Sequence, residues 1–205
     1  MKANKNAALL LGIFMVTSCA PATRITSSWR EPGKEIKIEK LNKVLVVALF
    51  KTETGRRAAE DKMVQYLNGK GVVSYNYLDA GISTKDESVM RDKIKADGFD
   101  GAVTMRLVDV DKEQIYTPGN ISSYPTYYRS FSGYYYRNWS YYTTPGSYST
   151  TRTYTVETNV YSIKEDKIIW TGVTQTENPG GVDRLTDEVV KVVYQKMIKE
   201  GFINK

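Results

Sequence analysis

The chain has 205 residues, with 29 basic and 23 acidic side chains that give it a net charge of +6. It contains no histidine, which excludes Ser-His-Asp and Cys-His triads, imidazole general bases and metal sites that need a histidine ligand. The positive charge is too small to indicate nucleic-acid binding, and no basic helix or nucleic-acid motif accompanies it.

The first residues have the layout of a secretory signal peptide. Lys2 and Lys5 precede an apolar run from Ala7 to Val16. A membrane-spanning helix needs roughly 20 apolar residues, so this shorter run indicates a leader that is removed. Its removal would lower the net charge from +6 to +4 because both lysines are lost.

The end of the leader, Val16-Thr17-Ser18-Cys19, resembles the bacterial lipobox. The resemblance implies cleavage after residue 18 and acylation of Cys19, with two or three fatty chains such as palmitate as a firm membrane anchor. The alternative is an ordinary secreted protein with a chance cysteine. Cys19 is the only cysteine, so no thiol would remain for a disulfide, a metal or catalysis. Ala20 follows it, and we expect the outer membrane, facing the periplasm, as the location.

Residues 19–42 are polar, contain Pro21, Pro32 and Gly33, and show no sustained period. This pattern is typical of a lipidated tether, with one docked patch at Trp29. A flexible tether of this length would reach about 26 Å, so the domain would stand away from the membrane. The domain itself is then predicted over residues 43–205.

Hydrophobic periodicity predicts alternating strands and helices in this domain. In chain order they are strand 44–50, helix 54–70, strand 72–78, a helix from the capping box at 84–87 to Asp97-Gly98, strand 102–110, the hairpin strands 151–163 and 167–176, and helix 183–201. The order β-α-β-α-β-β-β-α predicts a single α/β domain (α+β mixed sheet) with a long tyrosine-rich insertion, residues 118–150, between the third and fourth strands.

Two strand patterns predict positions in the sheet. Residues 44–50 form a continuous apolar run, which is typical of a central strand covered on both faces. Val103, Met105 and Leu107 alternate with Thr104 and Arg106, so only one face of that strand should be covered. We expect it to lie nearer an edge of the sheet.

Several short signatures together resemble a widespread group of uncharacterised bacterial lipoproteins. They are Ser28-Trp29-Arg30 with Pro32, the strand 43–47, Arg56-Arg57 with Glu60-Asp61, Gly101-Ala102-Val103 and Ile169-Trp170. The resemblance implies a lipobox and a small α/β domain, and it brings no known activity.

The tyrosine-rich insertion departs sharply from the rest of the chain. It holds nine tyrosines and no acidic residue. Tyrosine combines a rigid ring with a hydroxyl and concentrates at recognition surfaces. The candidate binding surface is Tyr127, Tyr128, Arg129, Tyr134, Tyr135, Tyr136, Arg137, Trp139, Tyr141 and Tyr142. The alternatives are two long strand extensions that cover the sheet, self-association, or recognition of another molecule.

Two charged groups invite a catalytic or metal-binding interpretation. Arg56 with Glu60 and Arg57 with Asp61 have helical i, i+4 spacing, which favours ordinary surface ion pairs over a charged site. The strand residues Asp109, Asp111 and Glu113 share one face. We expect a solvated strand face there, because no calcium-loop pattern follows.

The sequence therefore favours a non-enzymatic, membrane-anchored envelope lipoprotein without a cofactor, acting as a protein-interaction or assembly module. Its partner would be another protein or a second copy, bound through the tyrosine-rich segment. The alternative is a module that binds glycan or peptidoglycan. An enzyme would need a carboxylate pair such as Glu60 with Asp61 or Asp109 with Asp111, and neither spacing shows convergence in a cleft.

Overall fold

The computed structural model describes residues 23–78, 87–118, 130–133 and 146–204. These residues form one mixed sheet of six strands. The strands are β1 (Thr23–Arg30), β3 (Val44–Leu49), β4 (Gly71–Val73), β5 (Gly101–Thr117), β6 (Ser147–Ser162) and β7 (Lys167–Glu177). Their order in the sheet is β1-β7-β6-β5-β3-β4. A short parallel pair, β2 (Ile36–Lys37) and β8 (Ile203–Asn204), lies beside it.

Helices cover both faces of the parallel part of the sheet. They are α1 (Glu53–Val64), α2 (Ser74–Tyr77), α3 (Glu87–Ala96) and α4 (Val182–Lys199). One core lies under α1 and α4, and a smaller one forms where α3 and the loop after it reach the opposite face at Leu45. The predicted single α/β domain with a mixed sheet is confirmed. No helix in the described ranges is long and apolar enough to cross a membrane.

The pairing directions divide the sheet into two halves. β3 runs parallel to both β4 and β5, and helices connect these strands, as parallel crossovers require. β5, β6, β7 and β1 are antiparallel neighbours. The predicted hairpin is therefore present as β6 and β7, with its turn at 163–166.

The segment predicted as an irregular tether contains a strand of the sheet. β1 pairs with β7 along its whole length, with a bulge between Ile25 and Ser27. Thr, Ile and Trp suit a strand that is half exposed, and the hydroxyls of Thr23 and Thr176 lie 2.7 Å apart. The tether prediction was wrong for residues 23–30, because a polar edge strand has no strong hydrophobic period.

Two further strand predictions differ from the structure. The second predicted strand, 72–78, ends at Val73, where the chain turns into α2. The prediction that 102–110 lies near an edge was wrong, since β5 lies between β3 and β6. Alternation reports which face of a strand is covered by another layer, and it carries no information on the strand's lateral neighbours.

Most of the predicted helix boundaries agree closely with the structure, whereas the capping box predicted at 84–87 lies outside the described residues except for Glu87. The side chain of Thr52 accepts a hydrogen bond from the Gly55 amide at the start of α1, as an N-cap residue does. After α1 and one 3-10 turn, Asn68 and Gly69 adopt positive φ angles of 48° and 77° and end the helical segment. Gly98, with φ of 78°, follows α3 in the same way.

Candidate functional site

The residues predicted as a binding surface lie outside the described part of the chain. This holds for Tyr127, Tyr128, Arg129, Tyr134, Tyr135, Tyr136, Arg137, Trp139, Tyr141 and Tyr142. It holds also for the predicted lipid attachment residue, Cys19. The structure does describe the two strands that lead into and out of the tyrosine-rich insertion, and these strands define the candidate site.

These strands continue beyond the rest of the sheet as a two-stranded ribbon. Residues Lys112–Thr117 of β5 pair with Ser147–Arg152 of β6 in regular antiparallel register. β7 ends opposite Thr153, and β3 pairs with β5 only as far as Arg106. At about 3.4 Å per residue, the ribbon projects by roughly 20 Å past the end of β7.

The ribbon carries exposed apolar and aromatic side chains. Tyr116 and Tyr148 are directly opposite each other, their ring centroids are 4.9 Å apart, and they are 52% and 73% exposed. Ile115, on the other face, is 49% exposed. The Tyr116 ring lies so close to Gly146 that a methyl group added there would collide with it. Glycine at 146 therefore permits this position of the tyrosine ring.

Both long edges of the ribbon present unpaired backbone groups. Within the described ranges, no strand pairs with β5 on its β3 side beyond Arg106, or with β6 on its β7 side before Thr153. Among the described residues, Arg152 bonds to Asn178 through its amide and its carbonyl, and the Lys112 amide donates to the side chain of Asp111 at 2.8 Å. Such edges are templates for pairing with a further strand.

The ribbon and the beginning of β1 lie at the same end of the sheet. Thr23 pairs with Thr176, which in turn pairs with Tyr154 of β6. The last ribbon residue of β6, Arg152, is two residues before Tyr154. Cys19 is four residues before Thr23, a separation that an extended chain spans in at most about 14 Å.

The Arg56 and Glu60 pair is a buried network, and its prediction as a surface ion pair was wrong. The Glu60 side chain is fully buried, at 0% exposure. One carboxylate oxygen accepts from the Ala48 amide at 3.0 Å and the Ser74 hydroxyl at 2.6 Å. The other accepts from the amides of Ser74 and Tyr75 at 2.6 and 3.2 Å. Arg56 Nε donates to Glu60 at 3.3 Å.

This network explains why the strand β4 is short. At Ala48, β3 has no strand partner on its β4 side, because β4 ends at Val73 and α2 begins there. The Glu60 carboxylate takes the place of that strand, and it also accepts from the first amides of α2. The sequence signal is an acid beside Ala59 and near Met63 on the buried side of α1.

The second predicted pair does not form a catalytic site with the first. Arg57 Nε donates to Glu53 at 2.7 Å, and its guanidinium lies 4.7 Å from the Tyr75 ring centre. The Tyr75 hydroxyl donates to Asp61 at 2.7 Å. That hydrogen bond raises the pKa of Tyr75 above its ordinary value. Asp61 is exposed, whereas Glu60 is buried among donors, so the two carboxyl groups do not converge.

The acidic residues of β5 form an exposed row. Asp109, Asp111 and Glu113 lie opposite Thr155, Thr153 and Thr151 of β6, and all three acids are exposed. This agrees with the predicted solvated strand face. Among the residues that the structure describes, no group of three or more Cys, Asp or Glu side chains is placed to hold a metal ion.

Sequence reasoning missed a second charged cluster, which is centred on Glu200. It connects β1 and β7 with the end of α4. Glu200, just after α4, accepts from Ser28 Oγ at 2.6 Å, from Trp170 Nε1 at 2.8 Å and from Lys196 at 3.1 Å. Burial opposes ionisation of this carboxyl group. The hydrogen bonds from Ser28, Trp170 and Lys196 outweigh that effect, so the pKa of Glu200 is lowered.

Comparison with known proteins gives weak similarities of fold. No protein-family model and no curated sequence matches the chain. PelC from Paraburkholderia phytofirmans, solved as a dodecamer, aligns with 8% identity over 82% of this chain and 95% of its own, with a TM-score of 0.43. Lipoprotein GNA1162 from Neisseria meningitidis aligns with 10% identity over 77% and 98%, with a TM-score of 0.38. Likeness this weak carries no information on function.

Proposed function

We propose that the protein is a membrane-anchored envelope lipoprotein that acts as a non-enzymatic interaction or assembly module. The exposed two-stranded ribbon carries this proposal. Its described residues present an aromatic pair, Tyr116 and Tyr148, and two unpaired strand edges. The tyrosine-rich insertion joins its two strands in sequence. Apolar side chains on a projecting ribbon would be buried only by another molecule.

The position of the ribbon favours partners at the membrane. The lipobox-like sequence supports acylation of Cys19, and no more than three residues separate Cys19 from β1. Because Thr23 and the ribbon share one end of the sheet, the anchor would hold the ribbon close to the bilayer. We expect the partner to be a second copy of this chain or another protein at the same membrane, which adds a strand to the ribbon edge.

The non-enzymatic part of the proposal is supported by chemistry. The chain has no histidine, and its single cysteine is the expected lipid attachment residue. Glu60 is the acid with the most distinctive environment. It already accepts five hydrogen bonds that join β3, α1 and α2, which leaves it no free lone pair for a substrate.

Site-specific photo-cross-linking in intact cells tests this function. A photoreactive amino acid replaces Tyr148 or Ile115 on the ribbon, and in a matched control it replaces Val89 on α3, which is similarly exposed at 52%. We expect a discrete adduct, to this chain or to one other protein, from the ribbon positions only. Equal adducts from Val89, or none from the ribbon, would contradict the proposal.

Glycan or peptidoglycan binding is a second candidate, favoured by one observation. The rings of Tyr116 and Tyr148 form an exposed pair, and exposed aromatic faces can stack on sugar rings. Retention of the protein on peptidoglycan, lost on Tyr148→Ser and kept on Val89→Ser, would support this candidate. Absence of retention on peptidoglycan and on a glycan array would dismiss it.

A further inference from the structure

A cavity of about 610 Å³ lies between the sheet and the helices α1 and α4. This volume falls within the range of roughly 300 to 1,000 Å³ that is typical of small-molecule sites. The cavity is at the end of the sheet where β5 begins and β6 ends, opposite the ribbon. It is therefore separate from the proposed contact surface.

The inner wall of the cavity is almost entirely apolar. The sheet and the helices α1 and α4 all contribute to it. The half-buried apolar side chains that face the space include Ile36, Leu67, Val103 of β5, Val160 of β6 and Tyr194 of α4, and the buried side chains of Met63, Met105 and Val193 lie behind them. Protein cores are normally packed without spaces much larger than a water molecule. An apolar space of this size indicates a site for an apolar ligand.

One polar side chain in this wall has no partner in the protein. Thr158 of β6 is 2% exposed, and its hydroxyl makes no hydrogen bond within the described residues. It lies opposite Met105 on the helix-covered face of the sheet and lines the cavity. Buried hydroxyl groups are nearly always hydrogen-bonded. The Thr158 oxygen is too deeply buried to meet a ligand, so it is an unsatisfied polar group packed beside the cavity.

The mouth of the cavity is positively charged. Its charged lining residues are solvent-accessible and therefore mark the opening: Lys34, Lys40, Lys95, Asp100, Lys164 and Glu165. Glu165 is paired with Lys34, and Asp100 accepts from the Lys43 amide at 3.3 Å. Within the described ranges, Lys40, Lys95 and Lys164 have no acidic partner, so the opening attracts an anionic group.

We propose that this cavity binds a single-chain amphiphile with an apolar acyl chain inside and a carboxylate or phosphate at the lysines of the mouth. The volume, the apolar wall and the charged rim together match this chemistry. Tyr154 and Ser162, which mark the two ends of the sheet on β6, are eight residues apart, or roughly 27 Å. The first residue of β1, Thr23, is at the Tyr154 end, and the proposed ligand is a molecule separate from the acyl chains expected at Cys19.

Photoaffinity labelling of the full-length protein in phosphatidylcholine nanodiscs tests the proposal. The reagent is dodecanoate with a diazirine in its chain, and mass spectrometry locates the labelled residues. We expect labels on half-buried cavity residues such as Leu67 and Val103, suppressed by excess plain dodecanoate. Labels scattered over the surface, or labels that excess dodecanoate does not suppress, would overturn the proposal.

Two α4 variants make the test specific to the cavity. Val193→Trp fills the space and should reduce labelling of the cavity at least tenfold. Val182→Trp is the matched control, since Val182 is 47% exposed and lies outside the cavity, and it should label as the parent does. Unchanged labelling in a folded Val193→Trp protein would overturn the proposal.

The rim provides a test that does not depend on repacking the core. The exposed residues Lys40 and Lys95 can be replaced together by glutamine with little effect on folding. Half-maximal labelling should then need roughly three- to tenfold more dodecanoate, as expected for the loss of two exposed charge interactions. The same labelling curve as the parent would refute the role of the lysines. Labelling of the cavity that appears only after Cys19→Ser would show that the anchor's own chains occupy it.

Discussion

Replacement of Glu60 by alanine is expected to cause a large loss of stability. The substitution removes the acceptor for the backbone amides of Ala48, Ser74 and Tyr75 and leaves the Arg56 guanidinium without this buried partner. Each buried donor left without an acceptor costs about 1 to 3 kcal/mol. Three such donors would cost at least about 3 kcal/mol, before any effect on Arg56.

A second argument gives a similar magnitude. Removing one partner from a buried, hydrogen-bonded ion pair costs about 3 to 5 kcal/mol. We therefore expect Glu60→Ala to lower the free energy of unfolding by about 3 to 5 kcal/mol, out of the 5 to 15 kcal/mol typical of a domain. Glu60→Gln keeps the volume and one acceptor oxygen, and should cost about 1.5 to 3 kcal/mol.

Urea unfolding followed by the fluorescence of the buried Trp170 measures these losses. Asp61→Ala is the control, because Asp61 is the adjacent acid but is exposed and accepts from the Tyr75 hydroxyl. It should change stability by less than about 1 kcal/mol. If Glu60→Ala cost no more than Asp61→Ala, the network would not have the structural role assigned to it.

Four further predictions concern other parts of the protein. Cys19→Ser should move the protein from the membrane fraction to the soluble fraction, and its retention in the membrane would refute lipid anchoring. Because the pKa of Glu200 is lowered, its contribution to stability is complete above its ordinary pKa of 4.5 and is lost as pH falls below that value. Glu200→Gln should therefore reduce the loss of stability between neutral and acidic pH. An unchanged loss of stability at acidic pH would assign it to other acids. Gly172→Ala places a methyl group against the buried Trp170 ring and should cost about 1 to 3 kcal/mol in thermal unfolding; an unchanged melting temperature would contradict this packing. Thr158→Val removes the unpaired hydroxyl and should raise the stability of the ligand-free protein by about 1 kcal/mol; a lower stability would mean that the hydroxyl has a partner.

Several features could be predicted because their signals are local. The buried strand β3, the helical segment that begins with α1 and ends at Asn68 and Gly69, and the helix α4 each have a period or a capping residue that fixes the backbone within a few residues. Hydrophobic periodicity and turn residues depend only on neighbours along the chain, so they can be recognised without knowledge of the fold. The mixed α/β class followed from the order of these elements.

The other features depended on contacts between distant segments. Glu60 looks like one half of a helical ion pair, and only the early end of β4 brings three backbone amides to its carboxylate. The burial of a charged side chain is decided by donors that the topology supplies, and the i, i+4 spacing contains no information about them. The cavity around Thr158 likewise requires the sheet and two helices to be in place.

The sequence by itself determined the histidine-free chemistry, the tyrosine concentration after β5 and the mixed α/β class, because these are properties of composition and local period. Tertiary structure alone decided that residues 23–30 form an edge strand and that β5 lies inside the sheet. It also placed the beginning of β1 and the ribbon at one end of the sheet. Lateral strand neighbours are selected by free hydrogen-bonding edges elsewhere in the chain, and no local pattern encodes which edge is free.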